Sequence, residues 1–368
     1  MADQQPDAAG GQAKAGAPKG KHSEERTAHF SGTRVSRFDT RMGTLYLFVP
    51  KLRTGGYIPF FVIERQRAEA ALIQVVHEAY INGVSTRRIE KLAKRLGVEG
   101  LSAGQVSDIN KGLDEQVASF RTKPLREEYP VIWVDAVYQK IRKDSKVVNL
   151  AILIVMGVNL EGIREILAVE PMWEESEATY SHVFKSLQAR GLKRAWLVIS
   201  DAHAGLQSAV KKCFLGASWQ RCKVHFMRNI LGHVAHRDKA AAGECLRQIW
   251  LQEDRDMALE LAARFRERYG KKYPKAVECL EDGLEDSLQY LALPEFDKRK
   301  TSSTNILERL NKEVRRRARV VGVFPSEESF LRLIVCYLLE YSEDWPAMKA
   351  YISPETIQEV RQRLGLAA

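Results

Sequence analysis

The chain has no apolar run near the ~20 residues that a membrane-spanning helix requires, which argues against a membrane protein. Its opening stretch, MADQQPDAAGGQAKAGAPKGKHSEER, lacks the apolar centre of a secretory signal. That stretch is rich in Ala, Gly, Gln, Pro and Lys, so residues 1 to about 28 read as a disordered tail. Cysteine is scarce: five residues, at 213, 222, 245, 279 and 336, an odd number set far apart. This excludes a disulfide framework and points to reduced thiols in the cytoplasm. Acidic residues are in deficit. The 57 Lys and Arg outnumber the 47 Asp and Glu, and the net charge of +10 favours a polyanionic partner. Charge alone would also suit an acidic protein or a membrane surface. The 368 residues, 45% of them hydrophobic, leave room for two or three domains with ordinary cores.

What is present begins with GTLYLFVPKL (43–52), whose alternation suits one or two strands. From Arg65 to Asn82 apolar residues recur at helical spacing, and Asn82-Gly83 stops the run. Ser85 or Thr86 caps a second helix with Ile89, Leu92 and Leu96 on one face; Ser102 caps a third that runs through Val106, Ile109, Leu113 and Val117. Over 82–119 this is the outline of a helix-turn-helix, inside an N-terminal DNA-binding region spanning 36–124. Gln105 and Lys111 would then face a groove, with Arg87 and Arg88 supplying cations to the phosphates. A plain helical hairpin has the same pattern, and Asp108 is an awkward neighbour for a phosphate.

From Tyr129 the text changes to strands, at 131–141, 146–159 and 164–172, then a helix at 175–191 and a strand ending at Asp201. A helix at 204–214 and a short strand around 217–225 follow; 226–298 reads as helical throughout, STNILERLNKEVRRRARVVGVF as one basic helix, and 326–341 as another. Hairpins first and a crossover after predict an α/β fold, a mixed sheet flanked by helices. The expected divisions are a core over 125–225, a helical insertion over 226–300, the last part of the core over 301–345 and a helical tail over 346–368.

Two apolar strands carry a carboxylate: PVIWVDAVY holds Asp135 and LVISDAHAG reaches Asp201. An unpaired carboxylate in low dielectric is costly, and two close together repel unless a cation intervenes. Mg²⁺ (or Mn²⁺), a hard ion preferring oxygen ligands, removes that conflict. A pair of such ions can clamp the attacking and leaving oxygens of a phosphodiester displacement. A third acid is then needed. On the basic helix, Leu307, Leu310 and Val314 define the buried stripe, and at about 100° per residue Glu308 shares one flank with Lys312, Arg315 and Arg319 while Glu313 lies opposite. Glu308 is therefore the expected third ligand, with Lys312, Arg315, Arg316 and Arg319 as strand-holding cations. The competing reading is a solvated i,i+4 pair between Glu308 and Lys312. Asp144 and Glu161 fall in turns and read as solvated. Cys222-Lys223-Val224-His225 has half the spacing of a zinc site, but no matching pair follows; His233 and His236 sit at a helix end. His203 lies two residues past Asp201, near a bound ion or merely satisfying a backbone group.

VIWVDAVYQKIR, LVISDAHAGLQSAV, WQRCKVHFMRN and TSSTNILERLNKEVRRRARVVGVFP, in this order, resemble the mutator-type transposases of bacterial insertion sequences. The likeness runs from about Arg37 to Gln362 and takes in RFDTRMGTLYLFVPKLR and GVSTRRIEKL. It implies an RNase H-like, retroviral-integrase-like core with a helical insertion before the last acid, and DDE chemistry with divalent metal. Carried over by motif, Asp135, Asp201 and Glu308 are the three acids, and Cys222 and His225 match a Cys-x-x-His signature with a structural role beside them. The resemblance also implies double-stranded DNA partners (element ends and target), recognition of terminal inverted repeats, and a homo-oligomer on DNA in the cytoplasm, at the nucleoid. A non-catalytic DNA-binding repressor and a nuclease of the same fold without strand transfer are the two rival functions.

Overall fold

The computed structural model describes Ala15 and residues 23–40, 43–53, 65–95, 98–99 and 101–366; most of the low-complexity tail lies outside the described residues. Two compact units divide between Glu115 and Gln116. In the first, β1 (Phe30–Thr40) and β2 (Gly43–Leu52) form an antiparallel hairpin. Helices α1 (Arg65–Ile81) and α2 (Thr86–Arg95) follow, and the two-residue β3 (Val98–Glu99) then pairs with Leu45 and Thr44 of β2. The start of α3 (Ala103–Asn110) is set by a capping box: the Gln105 backbone N–H donates to the Ser102 hydroxyl, while the Ser102 N–H donates to Gln105 Oε1. The expected third helix does not run through to Val117 unbroken. A tight turn at Lys111–Leu113 interrupts it before α4 (Asp114–Thr122), a helix that crosses the boundary between the units. Gly112 sits in that break, where an added Cβ would lie 3.7 Å from the His77 ring.

The second unit is built on β4 (Glu128–Lys143), β5 (Lys146–Val158), β6 (Arg164–Met172), α5 (Glu177–Ala189), β7 (Arg194–Ser200), α6 (Ala204–Cys213) and β8 (Ser218–Arg221). The strands order as β6-β5-β4-β7-β8, with β5 antiparallel to both neighbours and β7 and β8 parallel to β4. The mixed sheet predicted from hairpins followed by a crossover is therefore present. Val and Ile fill β4 and β5 because β-branched side chains pack well on a pleated surface. One face buries Ile132, Val134, Val155 and Val198 against Phe184, Leu187, Ala209 and Val210 of α5 and α6.

β8 is shorter than the strand predicted around 217–225. It stops at Arg221, and α7 (Lys223–Gly232) begins at once, so Cys222 and His225 stand at a helix start. The Cys222 N–H donates to Ser200 O and that of Lys223 to Ser302 O, which pins this corner to β7 and to the segment before the basic helix. Helices α8 (Lys239–Ile249), α9 (Arg255–Tyr269) and α10 (Pro274–Ser287) pack with α7 around their own core, including Phe226, Leu246, Phe265 and Leu280. A short α11 (Lys298–Thr301) then leads into the basic helix α12 (Asn305–Val321), followed by α13 (Glu327–Ser342) and α14 (Pro354–Arg363).

The stretch predicted as a C-terminal tail is anchored. The Tyr351 N–H donates to Gly162 O, and Arg361 and Arg363 reach Glu128 (3.4 Å) and Glu295 (2.5 Å). Gly162 has φ +76°, and an added Cβ would lie 1.8 Å from Ile352 O. Only glycine fits there. Among the described residues no helix is long and apolar enough to cross a membrane.

Candidate active site

In β4 and β7 the register pairs Trp133 with Ile199, so two residues further along each strand lie Asp135 and Asp201, side by side at the edge where β7 ends. Each carboxylate accepts from the next backbone N–H, Ala136 to Asp135 Oδ1 at 2.9 Å and Ala202 to Asp201 Oδ1 at 2.7 Å. Gly205, just beyond, lets the start of α6 approach that of α5, since an added Cβ would sit 2.7 Å from the Glu177 nitrogen.

Helix α12 packs against β4 through Leu307, Leu310 and Val314, all buried. On that apolar stripe sits one polar residue, Asn311, whose Nδ2 donates to Asp135 Oδ2 at 2.7 Å. One turn earlier, Glu308 Oε1 lies 3.0 Å from His225 Nε2, and the opposite ring nitrogen of His225 is 3.9 Å from Asp201 Oδ2. His225 thus bridges the acid on the helix and the acid after β7. The Glu308 contact is charge proximity without hydrogen-bond alignment, because Oε1 has no hydrogen-bond partner. Glu308 makes no ion pair with Lys312; its partner is His225. Behind the imidazole, Cys222 Sγ accepts from the Thr304 N–H at 3.3 Å and from its hydroxyl at 3.4 Å.

The electrostatics follow from this packing. Burial drives the Asp135 carboxyl up to about 6, with the charge of Glu308 adding to the shift and the Ala136 N–H, His225 and Asn311 opposing it. The His225 imidazole is held up to about 9, first by the neighbouring Cys222 side chain and further by Asp201 and Asp135, against burial. Burial of the Cys222 thiol works to raise it, but the hydrogen bonds with His225 and Thr304 together bring it below its ordinary value. Tyr138, three residues beyond Asp135 on β4, is pushed up to about 12 by burial, by Glu175 and then by the charges of Asp135 and Asp201. The site therefore sets Asp201 and Glu308 against one imidazole whose charged form is favoured, with Asp135 on the neighbouring strand. Among the described residues no three His, Cys, Asp or Glu are grouped closely enough to hold a metal as they stand.

The family model for transposases of the Mutator family matches residues 8–348. The chain belongs to the Mutator family of transposases. It is 39% identical over 351 residues to the transposase for insertion sequence element IS1081 of Mycobacterium tuberculosis, covering 95% of this chain and 85% of that one. It is 37% identical over 348 residues to the transposase for ISRM5 of Rhizobium meliloti, covering 94% and 86%. To the transposase for IS256 in transposon Tn4001 of Staphylococcus aureus it is 37% identical over 328 residues, covering 88% and 84%. Among solved structures, a Drosophila P element transposase strand transfer complex matches with a TM-score of 0.32 and 12% identity, over 79% of this chain and 85% of that one, too loosely to carry an argument.

In this Mutator-family chain the other residues singled out from the sequence divide into free and occupied. Lys312, Arg315 and Arg319 are exposed on the flank of α12 that carries Glu308, whereas Arg316 is 3.0 Å from Glu313. In the first unit Arg87 and Arg88 are exposed in the first turn of α2. Gln105 is committed to its capping box, and Lys111 pairs with Asp108 at 2.8 Å. Cys222 stands at the start of α7 and His225 one turn on, 3.0 Å from Glu308 and 3.9 Å from Asp201. His203 packs against Tyr180, ring centroids 5.5 Å apart, with a buried Nδ1 that has no partner. Glu161 pairs with Arg126, and Asp144 occupies the β4–β5 turn at φ +48°. All five cysteines are free thiols. Sequence reasoning missed Asn311 and Thr304. The signal for Asn311 was legible, a lone amide on a stripe otherwise filled by Leu307, Leu310 and Val314.

Proposed function

We propose that the second unit catalyses divalent-metal-dependent DNA strand cleavage and strand transfer, with Asp135, Asp201 and Glu308 as the three acids. The observation that carries this reading is the convergence of Asp201 and Glu308 on His225, with Asp135 on the neighbouring strand, beside a helix flank of unpaired cations. An RNase H-like core is the fold this reading implies. The order β6-β5-β4-β7-β8, with one antiparallel hairpin system and a parallel crossover, supports it, as does the helical insertion before Glu308.

The donor set fits a hard divalent cation. All three acids are carboxylates, burial and the charge of Glu308 hold Asp135 up at about 6, and Glu308 Oε1 lacks a hydrogen bond. Mg²⁺ or Mn²⁺, two ions in the usual clamp, would supply Lewis-acid stabilisation of the phosphoryl oxygens and a more acidic attacking water. The chain's own residues do the rest. Asn311 fixes the rotamer of Asp135 from the side of the core. His225 stands between Asp201 and Glu308 and offsets part of their charge. Lys312, Arg315 and Arg319 set cations at successive turns along one flank, where a phosphate backbone would lie, with Arg316 adjoining. Binding of terminal inverted repeats falls to the first unit, where Arg87 and Arg88 offer phosphate contacts. Assembly of more than one copy on DNA is part of the same proposal.

A supercoiled plasmid bearing the element's ends tests it directly. The wild-type protein with Mg²⁺ should nick or cut at those ends and join a 3′ end to target DNA, while Asp201→Asn should bind the ends with unchanged affinity and cut nothing. End binding without cutting by the wild type would instead favour a repressor, and cutting without joining a nuclease.

A further inference from the structure

A cavity of about 320 Å³ opens where the N-terminus of α12 meets α11, β6 and the segment after α13. No Asp or Glu lines it. Its walls include Arg164, Lys300, Ser303, Arg309, Trp345 and Tyr351. The Arg164 guanidinium lies 4.4 Å from the Trp345 ring and 5.1 Å from that of Tyr351. Lys300 Nζ donates to Tyr351 O at 2.6 Å and sits 5.0 Å from the same ring. Among the described residues neither Arg164, Lys300 nor Arg309 pairs with a carboxylate, and Arg309 is exposed on the first turns of α12.

Two further observations mark the place as a ligand site. Thr304, the residue before α12, turns its hydroxyl to Cys222, so the 17-residue helix begins without a side-chain cap and its first N–H groups keep their partial positive charge. Ser303, only 2% exposed, is one of the residues around the cavity, and its buried hydroxyl has no hydrogen-bond partner. A buried orphan hydroxyl is costly unless something satisfies it. The charged groups here are all cationic: Arg164, Lys300 and Arg309 without a carboxylate partner, and Arg299 paired with Asp297, beside a helix N-terminus and a spare hydroxyl. They ask for an anion with several acceptor oxygens. The aromatic side of the cavity asks for something else. The Arg164 guanidinium lies 4.4 Å from the ring of Trp345, which is 6% exposed, and 5.1 Å from that of Tyr351, and a guanidinium set among aromatic rings is a partner for a planar base.

We propose that this cavity holds one nucleotide, its phosphate at Ser303, Arg309 and the α12 N-terminus and its base against the Trp345–Arg164–Tyr351 cluster. The nucleotide belongs to a DNA strand, because the cavity and Glu308 share the first turns of α12, so a strand running from one to the other follows a single helix. Trp133, two residues before Asp135 on β4, also meets this corner, donating its indole N–H to Lys300 O and standing edge-on to Tyr351. That strand assignment rests on the DNA-acting function proposed above; the nucleotide chemistry of the cavity does not.

The test uses the full chain and a short single-stranded oligonucleotide carrying 2-aminopurine, with deoxyadenosine monophosphate and inorganic phosphate as competitors. On binding the wild type the probe should lose fluorescence. Arg309→Gln should weaken binding about tenfold, and Trp345→Leu should restore the fluorescence and weaken binding by a similar factor, as base stacking predicts. Thermal melting of both variants reports whether they fold, and Arg309→Gln changes only an exposed side chain. Wild-type affinity in Arg309→Gln, with quenching intact in Trp345→Leu, would overturn the proposal. Equal competition by phosphate and the monophosphate would remove the base from it. Tight binding of the monophosphate that no oligonucleotide displaces would make the ligand a free nucleotide and defeat the strand assignment. Loss of plasmid cutting by the wild type, with monophosphate binding still dependent on Arg309, would sink the DNA-acting function and leave the cavity's chemistry standing.

Discussion

Replacing Asp135 with Asn should make the metal-free protein more stable and, at the same time, inert to Mg²⁺. Ordinary aspartate ionises at 3.8, whereas burial holds Asp135 at about 6 in the folded state. The sign is fixed by proton uptake. Between those values the folded state binds a proton that the unfolded state has lost, so stability falls as pH rises through about 4 to 6 and stays low above. Two pH units correspond to about 3 kcal/mol. Asp135 still touches solvent, which makes that figure a ceiling. An Asn at 135 removes the ionisation cost but also one acceptor oxygen, so either the Ala136 N–H or the Asn311 amide loses its partner, a loss of about 1 kcal/mol. The net gain is roughly 1–2 kcal/mol, or about 2–6 °C of melting temperature for a unit of this size. Scanning fluorimetry at pH 7.5 in chelator should show Asp135→Asn melting above the wild type, with the gap shrinking to nothing or reversing near pH 4. Added Mg²⁺ should raise the wild-type melting point and leave the variant where it was. A variant that melts below the wild type in chelator at pH 7.5 would refute the claim that Asp135 is a buried, undercompensated charge.

Three other substitutions probe separate links. Arg315→Ala and Arg319→Ala should each reduce the slope of log affinity against log salt by about one, measured by DNA binding across a salt series; an unchanged slope would remove those cations from the phosphate path. Asn311→Ala should lower cleavage by about 10- to 100-fold while DNA affinity holds, since a freed Asp135 rotamer costs positioning and not binding; wild-type cleavage rates would show that the 2.7 Å contact is incidental. Gly162→Ala forces a side chain into φ +76° against Ile352 O and should cost about 2–4 kcal/mol in urea unfolding; a cost under about 0.5 kcal/mol would mean that the segment after α13 is not anchored there.

Much of the fold was legible because its strands are apolar and punctuated. The β6 limits, 164–172, are those expected from REILAVEPM, and the crossover through α5 followed from a helical period between two strands. The stretch at 217–225 was misjudged because WQRCKVH has an apolar alternation that runs across a true boundary. Backbone hydrogen bonds from Cys222 to Ser200 and from Lys223 to Ser302, invisible in the text, end the strand there. In the candidate site, the places of Asp135 on an apolar strand, of Asp201 just past one and of Glu308 on one flank of α12 were legible. The role of His225 was not, since its two acid partners lie 24 residues before it and 83 after, on separate elements, and only the folded register brings them to one imidazole. For Gln105 and Lys111 the groove-facing pattern said nothing of the local partners that each side chain has, the Ser102 N–H and Asp108.

The central claim is that three acids from β4, the end of β7 and α12 act together on a phosphodiester. Cleavage of DNA carrying the element's ends, compared between the wild type and Glu308→Gln at matched DNA occupancy in Mg²⁺, bears on it most directly. The account predicts cleavage at the ends by the wild type and a loss of at least about a thousandfold in the variant. Cleavage by Glu308→Gln at the wild-type rate would contradict it.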